Sequence, residues 1–392
     1  MAGALEDLMV LDLTSNLSGP YCAMMLADHG ADVIKIEQPE TGDAARNMPP
    51  FVNGESAPFM IWNRNKRSVT LDLKKDREAF LKLVDHADFV VENFRAGVMQ
   101  RLGLDWKALH ARNPRLILGS ISGFGQTGPY SHEAGYDGKI QALSGIMSIT
   151  GHPAMGPTRA GFAVCDVLSG MTAAFAVASA LYQRTHTGEG QFIDVSMLEA
   201  SLAFLSTQVA DFTVAGHRQE QFGNQAISRK VTANLFRAKD SYLLLAVNDE
   251  KQFRALMTAL RRTDVFDDPR FGDWFQRKEN EAALREIIET ALAHQDAKAW
   301  EKQLNVAGAP SASIWTIEEV ISHPQIVARE VMQSVQTQYG MLRLMGSGFQ
   351  MAHGGGHLDT APPELGADTD TILAGLGYDP AAIAALRAEG VV

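Results

Sequence analysis

Cysteine, positive charge and long apolar runs are all scarce in this chain. Only Cys22 and Cys165 occur among its 392 residues, too few for a disulfide framework, so a reducing compartment is expected. Acidic residues outnumber basic ones by 46 to 35, giving a formal charge of −11. With no block of Lys and Arg, that balance argues against nucleic acid or an anionic membrane as partner. No run approaches the length of a membrane span, since Thr172–Leu181 is one short apolar segment. The N-terminal MAGALEDLMVLDLT has no basic region and no continuous apolar stretch of signal-peptide type, so the expectation is a cytoplasmic protein. What is present is an apolar fraction of 46%, ample for a buried core without disulfide or metal staples.

The apolar pattern alternates between short strands and amphipathic helices. Leu8–Leu13 reads as a strand, Tyr21–His29 as a helix ending at Gly30, and Asp32–Glu37 (DVIKIE) as a second strand. The unit recurs through strand Ser68–Leu73, helix Arg77–His86, strand Phe89–Glu92, helix Trp106–Arg112 and strand Leu116–Ile121. A long helix is expected at Val167–Arg184, followed by strand Gln191–Val195 and helix Leu198–Ala210. Such alternation predicts an α/β fold with a doubly wound, Rossmann-like parallel sheet. Beyond Gly216 the texture changes to polar residues and helices, which predicts a smaller α/β domain over 216–330. Residues 1–215 then form the first part of a large domain, and 331–392 return to complete it.

Several motifs carry competing readings. Gly123-Phe-Gly125-Gln-Thr-Gly128 matches GxGxxG, but Pro129 and Tyr130 follow where a dinucleotide fingerprint needs a helix. It reads as a glycine-rich loop rather than an NAD site. His353 and His357 flank three glycines, a spacing that suggests a surface loop and not a metal site. Cys165 reads as a small buried hydrophobe more readily than as a nucleophile. Asp166, just before the long helix, reads locally as a helix cap. Asn63-Arg-Asn-Lys-Arg67 concentrates three cations before a strand and reads equally as a solvated turn or as a phosphate site.

Taken in order, these segments resemble the class III CoA-transferases. The similarity is carried by LSGPYCAMMLADHGADVIKIEQPETGDAAR (17–46), NRNKRSVTLDLK (63–74), ADFVVENFRAGVMQRLGLDW (87–106), NPRLILGSISGFGQTGPY (113–130), AGYDGKIQALSGIMSITG (134–151), RAGFAVCDVLSGM (159–171) and TGEGQFIDVSMLEA (187–200). The resemblance implies that Asp166, in FAVCDVLSG, is the nucleophile. It also implies coenzyme A contacts at Leu17, Ser18, Leu71, Asp72, Leu73, Lys74, Asn93, Phe94, Arg95, Arg101, Ala134, Gly135, Tyr136 and Asp137, with Arg46 and the NRNKR segment as further phosphate contacts. Two departures stand out: Gln38 occupies a position where some members carry Arg, and Gly223–Lys230 lacks the family's Gly-Asn-x-His-Pro pattern. Arg229 and Lys230 are candidates for pairing with a second carboxylate of the acceptor.

The reaction implied moves CoA from an acyl-CoA donor, with succinyl-CoA the expected one, to a short or branched carboxylic acid through an aspartyl anhydride and an aspartyl-CoA thioester. One thioester replaces another, so neither ATP, NAD nor a metal is expected. Backbone N–H groups of the glycine-rich loops suit the tetrahedral oxyanions. An interlocked homodimer is a further implication of the resemblance. Two alternatives remain at this level. One is an α-methylacyl-CoA racemase, whose Gly-His-Asp stretch is Gly135-Tyr136-Asp137 here; tyrosine is a poor proton shuttle near neutrality. The other is a CoA-binding protein without chemistry.

Overall fold

The computed structural model describes residues 3–392. The chain forms two compact units, one of Met1–Ile146, Arg159–Arg218 and Gln325–Val392, the other of Met147–Thr158 and Gln219–Pro324.

The first unit is built on six strands: β1 Met9–Asp12, β2 Asp32–Glu37, β3 Lys66–Thr70, β4 Phe89–Glu92, β5 Ile117–Ser122 and β6 Phe192–Ser196. They lie in the order β3-β2-β1-β4-β5-β6, and every neighbouring pair is parallel. This is the doubly wound order, which reverses direction between β1 and β4. Successive side chains face opposite sides, so both faces bury apolar residues and the strands read as continuous runs. Val10, Val33, Phe89 and Val91 pack on one side with Cys22, Ala173 and Val177. Leu11, Ile34, Ile36 and Val90 pack on the other with Phe80, Ile372 and Ile383. The charged residues that interrupt these runs, Asp12, Lys35, Glu37 and Glu92, are all buried.

Helix α1 (Ser18–Asp28) follows β1, and α2 (Asp137–Leu143) follows the glycine-rich loop. The long helix α3 runs over Val164–Thr187, longer at both ends than the sequence suggests. Its length and apolar composition are those of a membrane-crossing segment. Its inner face of Ala173, Ala174, Val177 and Ala180 nevertheless packs into the sheet core, and it crosses α1 at a glycine. A Cβ on Gly170 would lie 2.6 Å from the Ser18 carbonyl oxygen, so only glycine lets α1 and α3 approach this closely. The single helix expected over 198–210 is two, α4 (Met197–Phe204) and α5 (Ser206–Ala215), broken at Leu205, whose ψ of 20° leaves the helical range.

The C-terminal return closes the outer edge of the sheet. Ser68 N donates to Asp368 Oδ2 (2.9 Å), Thr70 N to Thr369 Oγ1 (3.1 Å) and Asp72 N to the Val391 carbonyl (2.7 Å). Those bonds cover the unpaired edge of β3, which would otherwise invite association.

The second unit holds an antiparallel sheet of β7 (Ala233–Arg237), β8 (Tyr242–Ala246) and β9 (Ser311–Ser313) in the order β9-β8-β7. Helices Glu250–Ala259, Glu281–Leu292 and Ala297–Ala307 bury Phe253, Ile288 and Leu304 against Phe236 and Leu243. Met147–Thr158 groups with this unit, although the sequence reading leaves it in the first. The reason is nonlocal: Gly223 N bonds to the Gly151 carbonyl (2.9 Å), and Gln221 Nε2 bonds to the carbonyls of Thr150 (2.6 Å) and Gly156 (2.7 Å).

Candidate functional site

A cleft of about 430 Å³ opens at the carboxyl ends of β1, β2 and β3, beside the point where the strand order reverses. This is where open α/β sheets bind ligands. Its walls include Thr14, Gln38, Asp43, Leu71, Asp72, Leu73, Lys74 and Phe94. The sequence-expected residues 71–74 and Phe94 are thus brought together here.

Beneath the cleft lies a buried ion network. Lys35 Nζ is 2.8 Å from Asp43 Oδ2 and 3.8 Å from Asp12 Oδ2, and it donates to the Thr14 carbonyl at 2.7 Å. Lys66 Nζ reaches Asp12 Oδ2 at 2.8 Å, Asn63 Oδ1 at 2.9 Å and the Pro20 carbonyl at 3.1 Å. Burial alone would raise the Asp12 carboxyl, but the adjacent Lys35 and Lys66 charges bring it down to about 2. Burial pulls Lys66 down to about 8 against the attraction of Asp12. The network pins the loops after β1 and β2, which form the cleft's rim. Local motif reading passes over Lys35; the available signal is a lysine inside the strand DVIKIE.

Several expected phosphate contacts are corrected by their partners. In NRNKR, Arg64 pairs with Asp28 (2.6 Å), Lys66 with Asp12 (2.8 Å) and Arg67 with Asp32 (2.5 Å), so each cation already has its own carboxylate. The Arg46 guanidinium binds Glu37 (2.8 Å) and Glu55 (3.1 Å) and lies over the Phe59 ring at 3.7 Å. It is a structural ion pair rather than a free phosphate ligand. Asn93 is also occupied: its Oδ1 accepts from Ser15 N (2.9 Å) and its Nδ2 donates to the Ser15 carbonyl (2.8 Å), joining the loops after β1 and β4. Lys74, Arg95 and Arg101 are exposed. Arg95 lines a separate cavity of about 270 Å³ beside Glu92 and Trp106, not the switch-point cleft. Ser18 is buried at the start of α1, Leu17 half-buried before it, and α1 has no side-chain cap.

The glycine-rich loop doubles back on itself. A Cβ on Gly123 would sit 2.5 Å from the Gly135 Cα, so these glycines serve close backbone packing. No helix opens after Gly128; the next one starts at Asp137. Ala134 and Gly135 are half-buried, Tyr136 is exposed and Asp137 is buried.

Asp166 occupies the first turn of α3, half-buried. It does not cap the helix, because the N-cap position is Ala163 and makes no side-chain bond. The cap comes from another helix: Asp137 Oδ1 accepts from Cys165 N at 2.9 Å. Asp166 lies one turn before Gly170 on the same face of α3, and Gly170 abuts Ser18. Asp166 therefore stands one helical turn before the point where α3 meets the start of α1, the segment expected to touch CoA. Burial, with the Asp137 charge adding to it, pushes the Asp166 carboxyl up to about 7. A carboxylate of that basicity is a better nucleophile than an ordinary one. The neighbouring Cys165 is fully buried, and burial pushes its thiol up to about 11, so it is not poised to react.

In the second unit, Lys230 donates to the Asn248 carbonyl and lies 4.2 Å over the Trp274 ring. Arg229 stacks on Phe222 at 2.9 Å and has no carboxylate partner among the described residues. Lys230 is therefore held within its own unit, whereas the Arg229 charge is uncompensated. His353 and His357 lie on a loop, and no cluster of metal-ligating side chains occurs among the described residues.

The model of CoA-transferase family III matches residues 5–369. Over 333 residues, 84% of this chain and 85% of the relative, the sequence is 39% identical to acetyl-CoA:oxalate CoA-transferase of Acetobacter aceti. It is 34% identical to succinyl-CoA–D-citramalate CoA-transferase of Chloroflexus aurantiacus over 99% of this chain and 98% of that one. Among solved structures, a CaiB/BaiF family protein from Brucella suis superposes with a TM-score of 0.88 at 34% identity, covering 96% of this chain and all of the other.

Proposed function

Given that the chain belongs to CoA-transferase family III and is an acyl-CoA:carboxylate CoA-transferase, we propose that it moves CoA from succinyl-CoA to a short or branched carboxylic acid, with Asp166 as nucleophile. The observation that carries this reading is the half-buried Asp166 carboxyl, raised in basicity and one helical turn from the contact of α3 with the N-terminus of α1. The two relatives fit the substrate class: one is named for succinyl-CoA and the branched acid citramalate, the other for acetyl-CoA and the short acid oxalate.

The chemistry divides one exchange into four acyl transfers. An Asp166 oxygen attacks the donor thioester carbon, forming a C–O bond and breaking the C–S bond, so that CoA leaves as thiolate. The thiolate then attacks the Asp166 acyl carbon of this mixed anhydride and releases the donor acid as carboxylate. The acceptor carboxylate attacks the resulting aspartyl thioester, giving a second anhydride and thiolate. Finally thiolate attacks the acceptor's acyl carbon, forming the new acyl-CoA and restoring the Asp166 carboxylate. Over the whole cycle one acyl-CoA thioester replaces another of similar energy, so the exchange needs no ATP. Splitting it into covalent steps lowers the individual barriers.

CoA lies along the switch-point cleft, between residues 71–74 and Phe94, with Lys74 and Arg101 as the cations open to its phosphates. Two chains pair as a homodimer, a reading supported by the large apolar side chains left exposed on α3, α4 and α5, among them Phe175 at 77% and Val214 at 86%. Free, buried Cys22 and Cys165 fit a reducing cytoplasm.

Incubation with succinyl-CoA and a panel of carboxylic acids tests the function. New acyl-CoA formed only when an acceptor is present supports transfer. Epimerised donor without any acceptor would indicate a racemase, and no change with any acid would indicate a binding protein.

A further inference from the structure

We propose that Asp137 is a positioning residue, which from the first turn of α2 grips the start of α3 and so sets where the Asp166 carboxylate stands. The inference rests on Asp166 being the nucleophile. It departs from the family expectation that Asp137 touches CoA.

The grip is a set of side-chain bonds from one face of α2 to the strap that leads into α3. Asp137 and Gln141 are four residues apart and so share that face. Asp137 Oδ1 accepts from Cys165 N at 2.9 Å, one residue before Asp166. Its Oδ2 accepts from Gln141 Nε2 at 2.7 Å and from Arg159 Nη2 at 3.4 Å. Gln141 continues the bracket: its Oε1 accepts from Ala160 N (2.9 Å), and its Nε2 also reaches the Phe162 carbonyl (3.3 Å). Both Asp137 oxygens are thus engaged within the protein and its side chain is 9% exposed, a poor arrangement for a ligand contact. A helix end with no cap of its own borrows one from a neighbouring helix, which fixes the first turn of α3 to α2.

The same carboxylate faces Asp166 with a like charge. The titratable groups on the elements around Asp166 are Asp137 and Lys139 on α2, Arg159 on the strap, Cys165 on its own helix, Tyr21 and Cys22 on α1, and Glu199 on α4. Lys139 is engaged by Glu133 at 2.5 Å. Of these groups, Asp137 is the one whose charge raises Asp166. Arg159, with its side chain 60% exposed, offsets part of that charge from the solvent side.

The test is the acid limb of kcat/KM, which reports the free enzyme's ionisations. Asp137→Asn keeps an oxygen for the Cys165 N–H but removes the charge, so the limb should move from near pH 7 toward the ordinary carboxylate range. Arg159→Met, at an exposed site where folding is undisturbed, should move it the other way. Asp137→Ala removes grip and charge together, and kcat should fall ~100-fold, the cost of misplacing a reacting group by about an ångström, with KM for acyl-CoA little changed. Limbs that coincide with wild type in both Asp137→Asn and Arg159→Met would overturn the proposal. So would a loss confined to KM for acyl-CoA, which would make Asp137 a CoA contact. Failure of the underlying reading shows separately, as an Asp166→Asn variant that turns over normally.

Discussion

Replacing Lys35 with methionine probes the ion network under the cleft. Lys35 is fully buried, and its nearest charges are Asp43 at 2.8 Å and Asp12 at 3.8 Å. At an effective dielectric constant of ~20 these pairs are worth ~6 and ~4 kcal/mol of gross attraction. Part of that offsets the desolvation of the ammonium itself. Removing one partner while the carboxylates stay buried costs about 3–5 kcal/mol. Asp43 would be the more exposed to this loss, because Asp12 keeps Lys66. At ~2–3 °C per kcal/mol for a unit of this size, Tm should fall by about 6–15 °C. Urea denaturation of Lys35→Met, Asp43→Leu and the double variant gives the coupling directly. The double variant should recover most of the loss, since an apolar pair of similar volume replaces an ion pair at little cost. A single variant within 1 kcal/mol of wild type, or a double variant no better than the sum of the singles, would refute the assignment of the network to cleft stability.

Three further predictions follow from the same geometry. The Glu92 carboxyl is pushed up to about 7 by burial, with Asp194 adding to it against bonds from Ser120 and Phe94 N. The folded protein therefore holds a proton there that the unfolded chain has lost, and this stability, full below about pH 4.5, is lost as pH rises through about 7. Glu92→Gln should accordingly gain about 2–3 kcal/mol over wild type between pH 5 and pH 8; urea midpoints at both pH values check this, and an equal gain at both would contradict it. Arg229→Ala should raise KM for a dicarboxylic acceptor while sparing a monocarboxylic one, and an equal effect on both would remove Arg229 from acceptor recognition. Sedimentation equilibrium should find a species of twice the 42.6 kDa chain mass, and a monomer at micromolar concentration would contradict the pairing of α3–α5.

Much of the sheet is legible in the sequence because parallel strands buried on both faces leave uninterrupted apolar runs. DVIKIE and FVVE have in the structure the boundaries that the sequence predicts for them. The cation cluster at 64–67 is different. Its neighbours in sequence suggest an anion site, but its partners Asp28, Asp12 and Asp32 come from α1, β1 and β2, which only the fold brings close. Asp166 shows the same limit at the site itself. Local reading makes it a cap, whereas the cap is Asp137, which lies 28 residues before the Cys165 N–H it accepts, and only the linear series of family motifs singles out Asp166 as the nucleophile. Met147–Thr158 has no apolar periodicity to place it, because hydrogen bonds to Gln221 and Gly223 decide its unit.

Covalent loading of Asp166 is the claim on which the mechanism stands. Protein turning over succinyl-CoA, quenched with hydroxylamine and mapped by peptide mass, should carry a hydroxamate on Asp166, and the Asp166→Asn variant should neither turn over nor be modified. An unmodified Asp166 peptide from actively exchanging enzyme, or an asparagine variant with wild-type rate, would contradict it.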